Sequence, residues 1–319
     1  MNAIFTRLGA TALVGTALAA APVAAQGQEF INVLTGGTSG VYYPLGVALS
    51  EIYADGIEGS RTQVQATKAS VENLNLLAQG RGEIAFALGD SVALAWEGNE
   101  EAGFPGPLEG LRAIGAIYPN YVQIVADAQS GIVSLEDLPG KSMSVGAPAS
   151  GTELNARAIF EAAGLSYDDL GRLEYLPYAE SAELIKNRQL DSTLQSAGLG
   201  VAFIQDLTAT HEINIVAIPA DVVESIGAPY VPAVIPAETY SGQTDDVPTA
   251  AIGNILVTHD GVSEEMAYEM TRLLFENLDR MEAAHSAAAS IDIEAAVEGL
   301  PIPLHPGAER YYREQGIIE

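Results

Sequence analysis

Two matching turns constrain this chain more than any other feature. The first runs Phe30-Ile-Asn-Val-Leu-Thr-Gly-Gly-Thr-Ser-Gly-Val-Tyr-Tyr-Pro44, the second Ser142-Met-Ser-Val-Gly-Ala-Pro-Ala-Ser-Gly-Thr-Glu-Leu-Asn155. Each leads from a short apolar strand, through a loop rich in Gly, Ser and Thr, into an amphipathic helix. A helix N-terminus carries unpaired N–H groups and a partial positive charge. A glycine-rich approach lets an anionic group come close to them. Two such termini in one chain suggest two lobes closing on one small anion.

The first 25 residues are set apart from the rest. Arg7 supplies a positive start, Leu8 to Ala21 is a run of small and apolar residues, and Val23-Ala24-Ala25 offers a small-residue cleavage site before Gln26. This is the pattern of a secretory signal peptide, too short and wrongly flanked for a membrane span. An uncleaved anchor is the bland alternative. No later segment is a long uninterrupted apolar run, so the mature chain is expected to be soluble. With no cysteine among 319 residues, an exported protein has no disulfide scaffold and must draw its stability from core burial. The net charge of −28 argues against nucleic acid and anionic membranes as partners. It also opposes long-range capture of an anion, so screening leaves local groups to decide binding. The bland reading of that charge is a solvated acidic surface.

Strand and helix signals alternate throughout, the signature of an α/β protein with mainly parallel sheets. Strand 30–35 precedes helix 41–54. An extended stretch at 62–66, a helix over 70–79, a strand over 83–88 and a helix over 91–97 follow. Residues 98–110 read as a loop. Leu111 to Tyr118 and Tyr121 to Ala126 read as two strands split by Pro119-Asn120, a crossing from one lobe to the next. Strand 142–146 and helix 152–163 carry the second turn, and Gly164 ends that helix. The proline-rich stretch 229–249 reads as a long ordered loop, and Ala250 to Val257 as a strand returning to the first lobe. A helical stripe spans 263–284, and the alanine-rich run 283–297 is expected to continue as helix.

The sequence lacks G-x-S-x-G, H-E-x-x-H and a Walker A loop. His211, His259, His285 and His305 are scattered without metal-ligand spacing, so no metal and no cofactor is expected. The acidic pairs Glu100-Glu101, Asp168-Asp169 and Asp245-Asp246 read as solvated loop residues. Ser150 is a nucleophile only if a histidine reaches it in space.

With these turns placed, the chain resembles the TAXI family of solute-binding proteins, which serve tripartite (TRAP) secondary transporters. The resemblance rests on Thr35-Gly-Gly-Thr-Ser-Gly-Val-Tyr-Tyr-Pro44, on Ala69-Ser-Val-Glu-Asn-Leu74 with Phe86-Ala-Leu-Gly-Asp90, and on Val145-Gly-Ala-Pro-Ala-Ser-Gly-Thr-Glu153. Tyr230 to Pro236 and Gly299 to Tyr312 extend it to the C-terminal part. It implies a type II periplasmic-binding-protein fold, two α/β lobes with a ligand cleft between them. Residues 26–120 and 250–319 would form the first lobe and 121–249 the second. It also implies a periplasmic, non-enzymatic monomer. That monomer would capture glutamate, 2-oxoglutarate or a related C5 dicarboxylate and deliver it to TRAP membrane subunits, fused or separate.

Carried over residue by residue, Thr38, Ser39 and Tyr42 would contact the ligand from the first turn, and Ser70 and Asn73 from the second segment. Asp90 and Ser91 would act from the third, and Ser150, Gly151 and Thr152 from the second lobe. Ser39 and Ser150 read equally as ordinary N-caps. Asp90 beside an acidic ligand is unfavourable unless it accepts from an ammonium or hydroxyl, so it tilts the expectation towards an amino or hydroxy acid. The stretch Leu190-Asp-Ser-Thr-Leu-Gln-Ser-Ala-Gly198 departs from the family pattern, and Gln195 is a candidate contact there. Lys68 is the nearest positive group, with solvation its expected state. Two other readings share the fold: an exported hydrolase using Ser150, and a periplasmic ligand sensor.

Overall fold

The computed structural model describes residues 29–319, so the signal peptide expected over 1–25 lies outside the described residues. Strands and helices alternate along the chain: β1 (Phe30–Leu34), α1 (Tyr42–Gly56), β2 (Arg61–Gln65), α2 (Ser70–Ala78), β3 (Ile84–Leu88), α3 (Gly89–Glu97) and the long β4 (Leu111–Asp127). There follow β5 (Ser142–Ser144), α4 (Gly151–Ala162), β6 (Arg172–Glu174), α5 (Tyr178–Lys186), β7 (Ser192–Ala197), α6 (Ala202–Thr208), β8 (Ile213–Val216), α7 (Ala220–Ile226) and β9 (Val231–Ile235). The long β10 (Val247–His259) then leads to α8 (Glu264–Glu276), α9 (Leu278–Ala284) and α10 (Pro306–Glu314).

The strands hydrogen-bond in the order β2-β1-β3-β10-β4-β7-β5-β6, with β8 beside β4 and β9 beside β10. At one end β1 lies parallel between β2 and β3, and at the other β5 lies parallel between β6 and β7. Between these groups run β4 and β10, antiparallel to each other. β4 pairs with β10 over its first half, then with β7 and β8 over its second. The result is two α/β lobes joined by two crossing strands, with helices on the faces as parallel strands require.

Pro119 does not split this strand, contrary to the sequence expectation of two strands at 111–118 and 121–126. Proline lacks an N–H and normally interrupts a ladder. Opposite Pro119 the register of β10 slips between Gly253 and Ile255, a bulge that absorbs the mismatch. Asn254 then supplies side-chain bonds in place of ladder bonds. Its Nδ2 donates to the Tyr118 carbonyl and to Asn120 Oδ1, both at 2.8 Å. Its Oδ1 accepts from the Tyr42 hydroxyl.

Three apolar clusters hold the layers. The largest packs Leu45, Leu49 and Ile52 of α1 against Met266, Met270 and Leu274 of α8 and the Tyr311–Tyr312 pair of α10. A second lies under α4 in the second lobe, around Ile124, Met143, Ile159 and Phe160. The third, around Leu74, Leu77 and Phe104 of the first lobe, also takes in Leu154 from α4. So α4 contributes to the cores of both lobes.

Three local expectations are corrected. The stripe over 263–284 is two helices, because the Asn277 amide takes the Leu273 carbonyl at 2.8 Å and ends α8. Beyond the end of α9 at Ala284 the alanine-rich run forms only 3₁₀ turns, at Ser286–Ser290 and Ala295–Val297. Burial of Ala288, Ile291 and Ala296 outweighs alanine's helix propensity there. The stretch 229–249 contains β9, whose Pro232 pairs opposite Ala250 and suits a strand at a sheet edge.

Replacing Asn254 by Leu would leave Tyr42 Oη, the Tyr118 carbonyl and Asn120 Oδ1 without this partner. We expect a loss of roughly 2–4 kcal/mol of stability, read from the urea midpoint. A loss under about 1 kcal/mol would show that the bulge stands without its amide.

Candidate functional site

Between the lobes lies a cavity of about 160 Å³, below the several hundred Å³ usual for drug-sized ligands and suited to a compact one. The first lobe contributes the loop Gly36 to Tyr42, the turn Thr67 to Ser70, and Leu88. The second contributes Ala147, Ser150, Gly151, Thr152, Pro177 and Tyr178. Tyr118 and Asn120 of β4, with Ser196 and Ala197 of β7, form the buried floor. Helices α1, α2, α4 and α5 all start at this cavity. Their first N–H groups have no intrahelical partner.

The candidate residues fall into two groups. Tyr42, Ser70, Ser150, Gly151 and Thr152 line the cavity. Thr38, Ser39, Asn73, Asp90, Ser91 and Gln195 are not among its lining residues. Thr38 is exposed, and Ser39 does not cap α1, whose N-cap position is Val41. Asn73 is a brace: its Nδ2 donates to the carbonyls of Thr35 at 2.7 Å and Phe86 at 2.9 Å. Gln195 is fully buried and donates to Thr193 Oγ1 at 2.6 Å. Ser150 is the N-cap of α4, accepting from Glu153 N at 3.2 Å while donating to the Ala147 carbonyl at 2.6 Å. Its proton is committed, so α4 offers a ligand the N–H groups of Gly151 and Thr152 instead.

Sequence reasoning missed Tyr118, Asn120, Tyr178 and Ser196. They stand on β4, α5 and β7, outside any glycine-rich loop, and only strand pairing brings them together. A relay of hydrogen bonds runs through them. Tyr42 donates to Asn254, which donates to Asn120 Oδ1; Asn120 Nδ2 donates to the Ser196 carbonyl at 2.9 Å. The Tyr178 hydroxyl donates to the same carbonyl at 2.7 Å and lies 2.8 Å from Thr152 Oγ1, from which it then accepts. The relay spans both lobes. Burial, reinforced by neighbouring phenols, raises the Tyr42 and Tyr118 hydroxyls well above the usual tyrosine value. Burial pushes Tyr178 up to about 12. All three are neutral donors at physiological pH.

The lobes also touch around the cavity. Glu72 N donates to the Ala149 carbonyl at 3.1 Å, and Arg157 of α4 donates to the Glu101 carbonyl at 2.8 Å. Asp90, at the start of α3, accepts from Asn155 Nδ2 at 2.7 Å and from the Tyr230 hydroxyl at 2.5 Å, both across the gap. Ser91 N and Oγ fill its other oxygen. Asp90 is therefore a latch between lobes. Burial raises its pKa, and the bonds from Tyr230, Ser91 and Asn155 oppose that rise. A Cβ on Gly151 would come within 2.5 Å of Ser70 Oγ and 2.7 Å of Leu88 Cδ1, so this arrangement of the lobes requires glycine there. The lobes are in closed contact.

Lys68 is the one charged side chain among the lining residues. Beside it Ala69 adopts φ 71°, ψ −147°, a conformation that is almost confined to glycine and costs about 1–3 kcal/mol, as strain at binding sites often does. Among the described residues no group of three or more His, Asp or Glu is arranged to hold a metal ion, and no helix is long and apolar enough to cross a membrane.

The NMT1-like family matches residues 33–316, and the chain belongs to that family. Solved structures share its fold at low identity. The alkanesulfonate-binding protein SsuA from Xanthomonas axonopodis pv. citri, bound to MOPS, is 15% identical with a TM-score of 0.50, over 89% of this chain and 83% of that one. The periplasmic binding protein BugD is 13% identical with a TM-score of 0.56, over 91% and 94%. A putative L-cystine ABC transporter protein from Listeria monocytogenes is 14% identical with a TM-score of 0.51, over 82% and 95%. The fold is that of the periplasmic binding proteins.

Two outcomes follow from the closed contacts. Gly151→Ala should force the lobes apart, measured as a larger radius of gyration than wild type, a loss of about 1–3 kcal/mol of stability and about tenfold weaker binding; an unchanged radius of gyration would refute it. Asp90 has a folded pKa above its unfolded value, so the folded state binds more protons in the window between them. Its contribution to stability is greatest below that unfolded value and falls as pH rises through the folded pKa. Asp90→Asn should remove this decline, and a wild-type minus variant stability difference that stays flat from about pH 4 upward would refute it.

Proposed function

We propose that this member of the NMT1-like family is an exported solute-binding protein that captures a small organic acid by lobe closure and hands it to a membrane transporter. One observation carries the reading. In a chain of net charge −28, the cavity is lined by a single charged residue, the cation Lys68, and by no carboxylate. Around it stand the open N-termini of α2 and α4, which favour anions. Closure removes water and strengthens each charge-assisted bond. The fold shared with binding proteins such as BugD supports the same reading by analogy.

The finer proposal follows the resemblance to the TAXI family. The ligand is a C5 dicarboxylate such as glutamate or 2-oxoglutarate, and the partners are TRAP membrane subunits, fused or separate. The lobes divide at 26–120, 121–249 and 250–319, the protein acts as a periplasmic monomer, and Lys68 with Tyr42, Ser70, Gly151 and Thr152 makes the contacts. The hydrolase alternative finds no support, since Ser150 donates its proton to Ala147 and no histidine lines the cavity.

Isothermal titration against C4–C6 organic and amino acids tests the reading. We expect saturable heat with at least one anion, and Lys68→Gln to weaken it about tenfold. No heat with any of them, and no rise in melting temperature, would defeat it. With the membrane subunits reconstituted, uptake should run on an ion gradient without ATP.

A further inference from the structure

We infer that the cavity selects one-headed acids, with a single carboxylate held at the Lys68 end and a compact apolar body of about four to six carbons against the rings of Tyr42 and Tyr178. The inference rests on the reading that this cleft takes a small organic acid. It departs from the family resemblance on one point, the second carboxylate.

The groups that can hold an anion are gathered at one place. Lys68 is the one charged side chain of the lining, and it stands exposed beside Ala69, the N-cap of α2. Ser70 begins α2 and Gly151 begins α4, and the two starts meet: a Cβ on Gly151 would reach Ser70 Oγ at 2.5 Å. The unpaired N–H groups of both helices therefore belong to the Lys68 end. Elsewhere the polar side chains of the lining are engaged within the protein. Thr67 donates to the Thr35 carbonyl, Tyr42 to Asn254, Asn120 and Tyr178 to the Ser196 carbonyl, Thr152 to Tyr178 and Ser150 to the Ala147 carbonyl. The hydroxyl oxygens of Tyr118 and Ser196 are sealed from the cavity.

The rest of the wall is carbon. Val41, Leu88, Ala147 and Pro177 line it together with the rings of Tyr42 and Tyr178. Each ring is held by another: Tyr42 stacks on Phe86 with centroids 5.1 Å apart, and Tyr178 packs against Phe203 at 5.2 Å. A tyrosine whose hydroxyl is engaged elsewhere meets a ligand as an apolar surface. A second carboxylate placed there would lose its hydration and find no cation. A hydrocarbon body gains from the same surface, about fourfold in affinity for each methylene buried. The space sets its size. The cavity of about 160 Å³ is close to the roughly 150 Å³ that encloses benzene in an apolar site. A short branched chain or a single ring fills it.

Titration calorimetry with acetate, butanoate and 3-methylbutanoate, and with the matched pair pentanoate and glutarate, tests the inference. Affinity should rise from acetate to 3-methylbutanoate by about fourfold for each methylene buried. Glutarate should bind at least about tenfold more weakly than pentanoate. Leu88→Ala widens the apolar wall and should improve cyclohexanecarboxylate severalfold relative to 3-methylbutanoate. No such shift in a folded variant would overturn the place assigned to the body. The unliganded melting temperature reports folding, and the wild-type series decides alone if Leu88→Ala does not fold. Affinity that stays flat along the series, or glutarate binding as tightly as pentanoate, would overturn the inference. So would binding of glutarate or glutamate with none of the monocarboxylates. In those cases an acid still binds and the parent reading stands. Failure of every anion to bind overturns both.

Discussion

The side-chain amide of Asn254 is the contact on which the rest of the molecule depends. A proline in the middle of a long strand would ordinarily end it, and β4 must not end, because it is one of the two strands that carry the chain between lobes. The amide bridges the residues on either side of Pro119 and takes the Tyr42 hydroxyl on its remaining oxygen. Hinge continuity and one cavity wall are therefore settled by one buried group. Such groups are stabilising when every bond is made and costly when one is missing.

A second set of contacts acts on the gap between lobes instead of the hinge. The bonds of Asp90 to Tyr230 and Asn155, the insertion of Leu154 and the clearance at Gly151 all belong to lobes in contact. None of them runs along the crossing strands. Opening would expose Asp90 to water and release its charge from a desolvated setting, so the latch is self-limiting: it holds position without great net attraction.

Much of this was legible in the sequence because it is local. Glycine-rich loops before helices, alternating strand and helix signals and a proline inside a long apolar stretch are all patterns within a few residues, and the α/β fold of the periplasmic binding proteins is the one to which they pointed. What escaped is non-local. Asp90 and Gln195 look like cleft residues by position in their segments, yet Asp90 is claimed by residues far along the chain, and Gln195 turns to its own strand. Tyr118 and Ser196 carry no local motif at all. They meet because β4 and β7 pair with Val122 opposite Ser196, a register that hydrophobic patterning alone does not announce. The alanine-rich run misled for a related reason: propensity is a weak prior when the core claims the side chains.

The division of the cavity wall into committed and uncommitted side chains also bears on how this protein can change over evolutionary time. Tyr42, Asn120 and Tyr178 each hold a piece of the scaffold as well as a piece of the wall. A substitution there alters ligand choice and architecture together, and selection on one is constrained by the other. Tyr118 and Ser196 present hydroxyls that nothing else in the fold uses. A substitution that removes either hydroxyl takes no side-chain hydrogen bond from the crossing strands or from the latch, so these two positions are the ones the scaffold leaves free to vary.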